Sequence, residues 1–89
     1  MPDYLVEFYL ARVGGEEFAA AAERAERAAD ELAREGESVL CLRAIFVPED
    51  ETCFLVYRAD TAAVVHKAVQ RAQLPLEGLV LPVETAGRP

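Results

Sequence analysis

The chain has 89 residues, a formal net charge of −7 and a 53% hydrophobic share. That length suits one domain with a thin core, and the apolar content excludes a disordered chain. The acidic balance argues against nucleic-acid and anionic-membrane partners, which demand basic patches.

The chain opens Met-Pro-Asp and runs straight into a strand-like segment. There is no basic n-region followed by an apolar h-region, and no apolar run of membrane-spanning length, so a cytoplasmic location is expected. Eight of the nine basic residues are arginine, with Lys67 the single lysine; together with the alanine bias this is the codon usage of a GC-rich bacterial genome. Cys41 and Cys53 are expected to be thiols in a reducing compartment.

Tyr4 to Leu10, YLVEFYL, is short, aromatic and β-branched, with Glu7 at its centre, which predicts a half-buried strand. Gly14-Gly15 ends it. A glycine- and proline-free segment follows from Glu16 to Glu35. Phe18, Ala22, Ala25, Ala29 and Leu32 recur at helical spacing, and Glu16 and Glu17 suit the positive end of the helix dipole. Gly36 is placed as the stop.

A hairpin comes next, Ser38 to Ala59, with the turn Pro48-Glu49-Asp50-Glu51. A second helix is predicted over Thr61 to Gln73, with Asp60 as N-cap and Val64, Val65, Ala68, Val69 and Ala72 as the apolar stripe. Leu79 to Glu84 completes the pattern as a strand, and Pro82 suggests a sheet edge. Residues 1–84 form the expected single domain, and 85–89 a loose tail. The order β-α-β-β-α-β predicts an α+β, ferredoxin-like fold, with a four-stranded antiparallel sheet carrying two helices on one face.

The hairpin register follows from the turn. If Val47 faces Thr52, then Ile45 faces Phe54, Arg43 faces Val56 and Cys41 faces Arg58. Arg43, Val56, Ile45, Phe54, Cys41 and Arg58 share one face. Leu40, Leu42, Ala44, Phe46, Cys53, Leu55 and Tyr57 share the other, expected to lie under the helices. Cys41 and Cys53 then point to opposite faces, which forbids a disulfide between them. Matching the first strand on the same basis puts Glu7, Tyr9, Arg43 and Arg58 on the open face beside Leu5, Ile45, Phe54 and Val56. So apolar a face calls for cover, most simply a second copy in a dimeric α/β barrel, with Glu7 paired to one of the arginines. Its functional counterpart is a cavity between the sheets where an arginine holds a small anionic or aromatic ligand. A third possibility is a cofactor-independent enzyme of oxygenase or isomerase type, worked by Tyr9, Glu7 and the arginines.

The remaining candidates are weaker. His66 is the sole histidine, and no clustered ligands accompany it in sequence, so it is expected as an exposed helix residue and not a metal ligand. Glu49, Asp50 and Glu51 lack the spaced ligands of a calcium loop. No phosphate-binding glycine loop, nucleophile elbow or CxxC pair is present.

Most of the chain resembles a family of small bacterial proteins catalogued as a domain of unknown function. The likeness lies in Val6-Glu7, in LRAIFVPEDETCFLVYRA (Leu42–Ala59) and in RAQLP (Arg71–Pro75). The resemblance implies a ferredoxin-like dimer. One member of the family is described as a nickel-binding protein, which makes nickel the cofactor implied, with His66 the one histidine left to bind it. The chain departs from the family at Arg58, where members tend to carry an acid, and at Gln73, where they carry glycine.

Overall fold

The computed structural model describes residues 1–9, 15–74 and 80–83. Leu10, Gly14, Pro75, Leu79, Glu84 and the tail 85–89 lie outside the described residues. Within them the elements run β1 (Asp3–Tyr9), α1 (Gly15–Arg34), β2 (Val39–Val47), β3 (Thr52–Ala59), α2 (Ala62–Arg71) and β4 (Val80–Val83). The strands form one antiparallel sheet in the order β2-β3-β1-β4, with β3 inserted between β2 and β1. This is the ferredoxin-like arrangement.

The core lies on one side of the sheet. Tyr4, Val6 and Phe8 of β1 and Cys53, Leu55 and Tyr57 of β3 point into it. Period-two alternation delivers them, because each is followed by a residue aimed at the other face. Above them α1 lays down Ala21, Ala25, Ala28, Ala29 and Leu32. A stripe of alanines lets the helix axis sit low on the sheet. At its amino end Phe18 stacks on Phe46, with centroids 5.2 Å apart. The buried stripe of α2 is Val64, Val65, Ala68 and Val69, with Ala72 buried just beyond it.

Local chemistry sets the element ends. The N-cap of α2 is Thr61 rather than Asp60: its hydroxyl accepts from the Val64 N–H at 3.3 Å, in extended backbone geometry. Both helices close in a Schellman motif. After α1, the N–H groups of Gly36 and Glu37 donate to Ala33 and Leu32. After α2, those of Gln73 and Leu74 donate to Gln70 and Val69. Gly36 takes its positive φ of 101° freely, whereas Gln73 takes φ 57° with a side chain. Arg24 of α1 donates from Nε to the Ala72 carbonyl at 3.0 Å, tying the carboxyl end of α2 to α1.

The hairpin departs from the expected register at one point. From Arg43 to Val47 the pairing is as expected, with Arg43 opposite Val56 and Ile45 opposite Phe54. A bulge at Leu42 then shifts it by one residue, so Cys41 faces Tyr57, and Leu40 faces Arg58. Leu40 and Leu42 are consequently exposed instead of packed under the helices, and Cys41 is packed against the core instead of on the open face. Both cysteines are free thiols. They are separated not by the sheet, as the unbroken register implied, but along it: Cys41 pairs with Tyr57, four residues from Cys53, or roughly 13 Å along a strand.

Candidate functional site

The face away from the helices is a grid of cross-strand rows. Reading from β2 to β4, one row is Leu40, Arg58, Asp3 and Val83, and the next is Arg43, Val56, Leu5 and Leu81. Ile45, Phe54 and Glu7 follow, then Val47, Thr52 and Tyr9. Among the described residues, five of the six exposed large hydrophobic ones, Tyr9, Leu40, Leu42, Ile45 and Leu81, belong to this side of the sheet. A surface of that kind is uncommon on a monomer with nothing to bind.

All four of the expected site residues on this face, Glu7, Tyr9, Arg43 and Arg58, are on it, but they do not form one cluster. Arg58 is taken by Asp3, not by Glu7. Its Nε lies 2.8 Å from Asp3 Oδ1 and its Nη2 3.3 Å from Oδ2, a two-point grip between cross-strand neighbours. Asp3 is 7% exposed, and its hydrogen bond and charge raise the Arg58 pKa further above its ordinary value. Glu7 instead accepts from the Tyr9 hydroxyl at 3.1 Å. That hydrogen bond, followed by the charge on Glu7, raises the Tyr9 pKa above the ordinary 10.0. The phenol therefore holds its proton throughout the neutral range.

Arg43 is exposed in an apolar setting, with Val56 beside it and Leu42 before it. Among the described residues no carboxylate lies within ion-pair distance of it. The sequence reading missed Asp3, one residue outside the predicted strand. Extending the alternation of Leu5, Glu7 and Tyr9 back by two positions would have found it.

On the helix side, the remaining ion pairs link the end of α1 and its turn to α2, through Glu31 and Glu35 to Arg71 and through Glu37 to Lys67. Glu35, Glu37, Lys67 and Arg71 line an open cleft of about 510 Å³, where Arg71 faces Glu35 and Lys67 faces Glu37. His66 is exposed on α2, across the sheet from the arginines. Among the described residues no three of histidine, cysteine, aspartate and glutamate come together as a metal site. The buried Tyr57 hydroxyl and the half-buried Cys41 thiol sit beneath the bulge. Among the described residues the Tyr57 hydroxyl has no hydrogen-bond partner, and burial raises its pKa. Burial, aided by Glu26 and Asp30, pushes its neighbour Cys41 up to about 11.

Comparison with models of known protein families, with curated proteins and with solved structures finds no match. Among the described residues no helix is long and apolar enough to cross a membrane.

Proposed function

We propose that this is a small homodimeric binding protein of the cytoplasm that works through its open sheet face. The observation that carries the reading is the gathering of Tyr9, Leu40, Leu42, Ile45 and Leu81 on that one face. Covering them with a second copy removes apolar surface from water on both partners at once. The footprint is adequate. Four strands at about 4.8 Å spacing and strands of up to nine residues give on the order of 500 Å² of flat area, which side-chain relief raises toward the ~800 Å² per partner of a standard interface. Sedimentation of the full chain across a concentration series tests it. A dimer mass is expected, and Ile45→Arg should leave a folded monomer; a wild-type monomer at every concentration defeats the reading.

A second reading attaches to Arg43. An exposed guanidinium in apolar surroundings, without an acid among the described residues, suits an anionic ligand with an aromatic body, held between the sheets. Titration with 8-anilinonaphthalene-1-sulfonate, an aromatic anion, tests this. Binding that disappears in Arg43→Ala supports it, and binding that survives that change counts against it. A cofactor-independent enzyme using Tyr9 and Glu7 has less behind it, because their hydrogen bond makes the phenolic proton harder to move. Nickel at His66 rests on the family resemblance alone.

A further inference from the structure

Two charges on the open face are not answered by an opposite charge among the described residues. Arg43 has no carboxylate within ion-pair distance, and Glu7 has the neutral hydroxyl of Tyr9 but no cation. They lie on either side of β3. Arg43 stands on β2 in the row of Val56 and Leu5, and Glu7 stands on β1 in the next row, with Phe54 and Ile45. Two strand spacings, about 10 Å, and one two-residue step, about 7 Å, separate them.

Consider a two-fold axis lying in the interface, crossing β3 diagonally between Val56 and Phe54, perpendicular to the line from Arg43 to Glu7. It carries Arg43 of one copy onto Glu7 of the other, and by the same operation Glu7 onto Arg43. A contact of this kind is self-complementary: residue i meets j, and j meets i. The residues nearest the axis are then Val56, Phe54, Leu5 and Ile45, all apolar, with Val56 falling over Leu5 and Phe54 over Ile45 of the other copy. Charges flank a dry centre, which is the anatomy of a specific interface. The Arg58–Asp3 pair is already neutralised within its own chain and is not called on.

Resting on the homodimer reading, we propose that Arg43 and Glu7 form a reciprocal pair of intersubunit salt bridges that set the register of a two-fold dimer closed over the open face. A second copy is the occupant that supplies both missing charges in the right number: one acid and one base per copy, placed as mirror positions about one axis. Enclosure strengthens such pairs, and the wrong juxtaposition of like charges is costly.

The test is a charge exchange on the full chain, read by sedimentation against the 9.7 kDa monomer mass. Arg43→Glu places two acids on the face, and Glu7→Arg two bases. Each variant alone should dimerise at least about tenfold more weakly than wild type. An equimolar mixture should recover the dimer, since every acid then meets a base. Arg34→Glu, an exposed change on α1 of the same net charge, should not recruit Glu7→Arg into a dimer. Singles that dimerise like wild type, or a mixture that stays monomeric while wild type is dimeric, overturn the pairing and leave the homodimer standing. Mixture failure with sulfonate binding retained at Arg43 likewise overturns it and gives that residue to a ligand. A monomeric wild type defeats the homodimer itself. If either reversal fails to fold, a short bis-maleimide joining Arg43→Cys to Glu7→Cys replaces it. Crosslinking in the mixture beyond that in either variant alone is expected, and equal crosslinking overturns the pairing.

Discussion

Arg58 and Asp3 stand directly opposite each other on β3 and β1, and the guanidinium grips the carboxylate at two points, 2.8 and 3.3 Å away. Asp3 is nearly buried, while Arg58 remains partly in water. The pair locks the first residue of the chain's first strand to the centre of the sheet. An ion of this kind depends on its geometry, because a carboxylate taken from water must be repaid by well-placed donors.

A double-mutant cycle should therefore find Asp3 and Arg58 coupled. Arg58→Leu alone removes two donors from a nearly buried carboxylate and should lower the melting temperature by several degrees. Asp3→Asn combined with Arg58→Leu should recover part of that loss. Chemical denaturation of the four proteins checks it, and strictly additive effects would refute the coupling.

How much of this was legible beforehand depends on where the two faces of the sheet differ. In β1 the apolar set Tyr4, Val6 and Phe8 alternates with the mixed set Leu5, Glu7 and Tyr9, and the burial follows that alternation. Around Leu40 to Leu42 both faces are apolar, so a one-residue slip left no mark in the pattern. The bulge sits where hydrophobicity could not report it. The pairing of Asp3 with Arg58 was hidden for a different reason, since the two are 55 positions apart in sequence. The face was readable from alternation; the pairing of its charges needed the register.

The bulge itself gives a test. Leu42 and Arg43 are both exposed, between Cys41 and Ala44, which lean on the core. Deleting Leu42 therefore leaves every remaining β2 side chain on its present face and should yield a folded protein, its stability changed by no more than about 1 kcal/mol. Deleting Ala44 instead removes a core-facing residue from a regular stretch and turns one side of the strand over, which should prevent folding or cost several kcal/mol, on the order of a lost core side chain. Circular dichroism and urea titration of the two deletions separate these outcomes. Equal damage from both would contradict the bulge.

Gln73 occupies the left-handed position of a Schellman motif at φ 57°, where Gly36 serves the equivalent place after α1. A side chain there costs roughly 1 kcal/mol, partly offset by the extra freedom glycine has when unfolded. Gln73→Gly should thus raise stability by a few tenths to about 1 kcal/mol. A lower melting temperature for Gln73→Gly would show that the glutamine side chain contributes more than its backbone strain costs.

The pair beneath the bulge predicts how the protein fails at alkaline pH. Burial pushes Cys41 from its ordinary 9.0 up to about 11, and it raises Tyr57 and Cys53 as well. The folded protein then keeps protons that the unfolded chain has released. The stabilisation from Cys41 is complete below about pH 9, where both states are protonated, and is lost as the pH climbs through about 11. Urea midpoints measured from pH 8 to 11.5 should fall accordingly, and Cys41→Ala should flatten the decline above pH 9. Tyr57→Phe should do more than flatten it. The Tyr57 hydroxyl is buried without a partner among the described residues, so deleting it should raise stability at neutral pH by about 1 kcal/mol, or several degrees in melting temperature. A destabilised Tyr57→Phe protein would mean that an ordered water or ligand answers that hydroxyl, and the space beside Cys41 would become the next place to look for one.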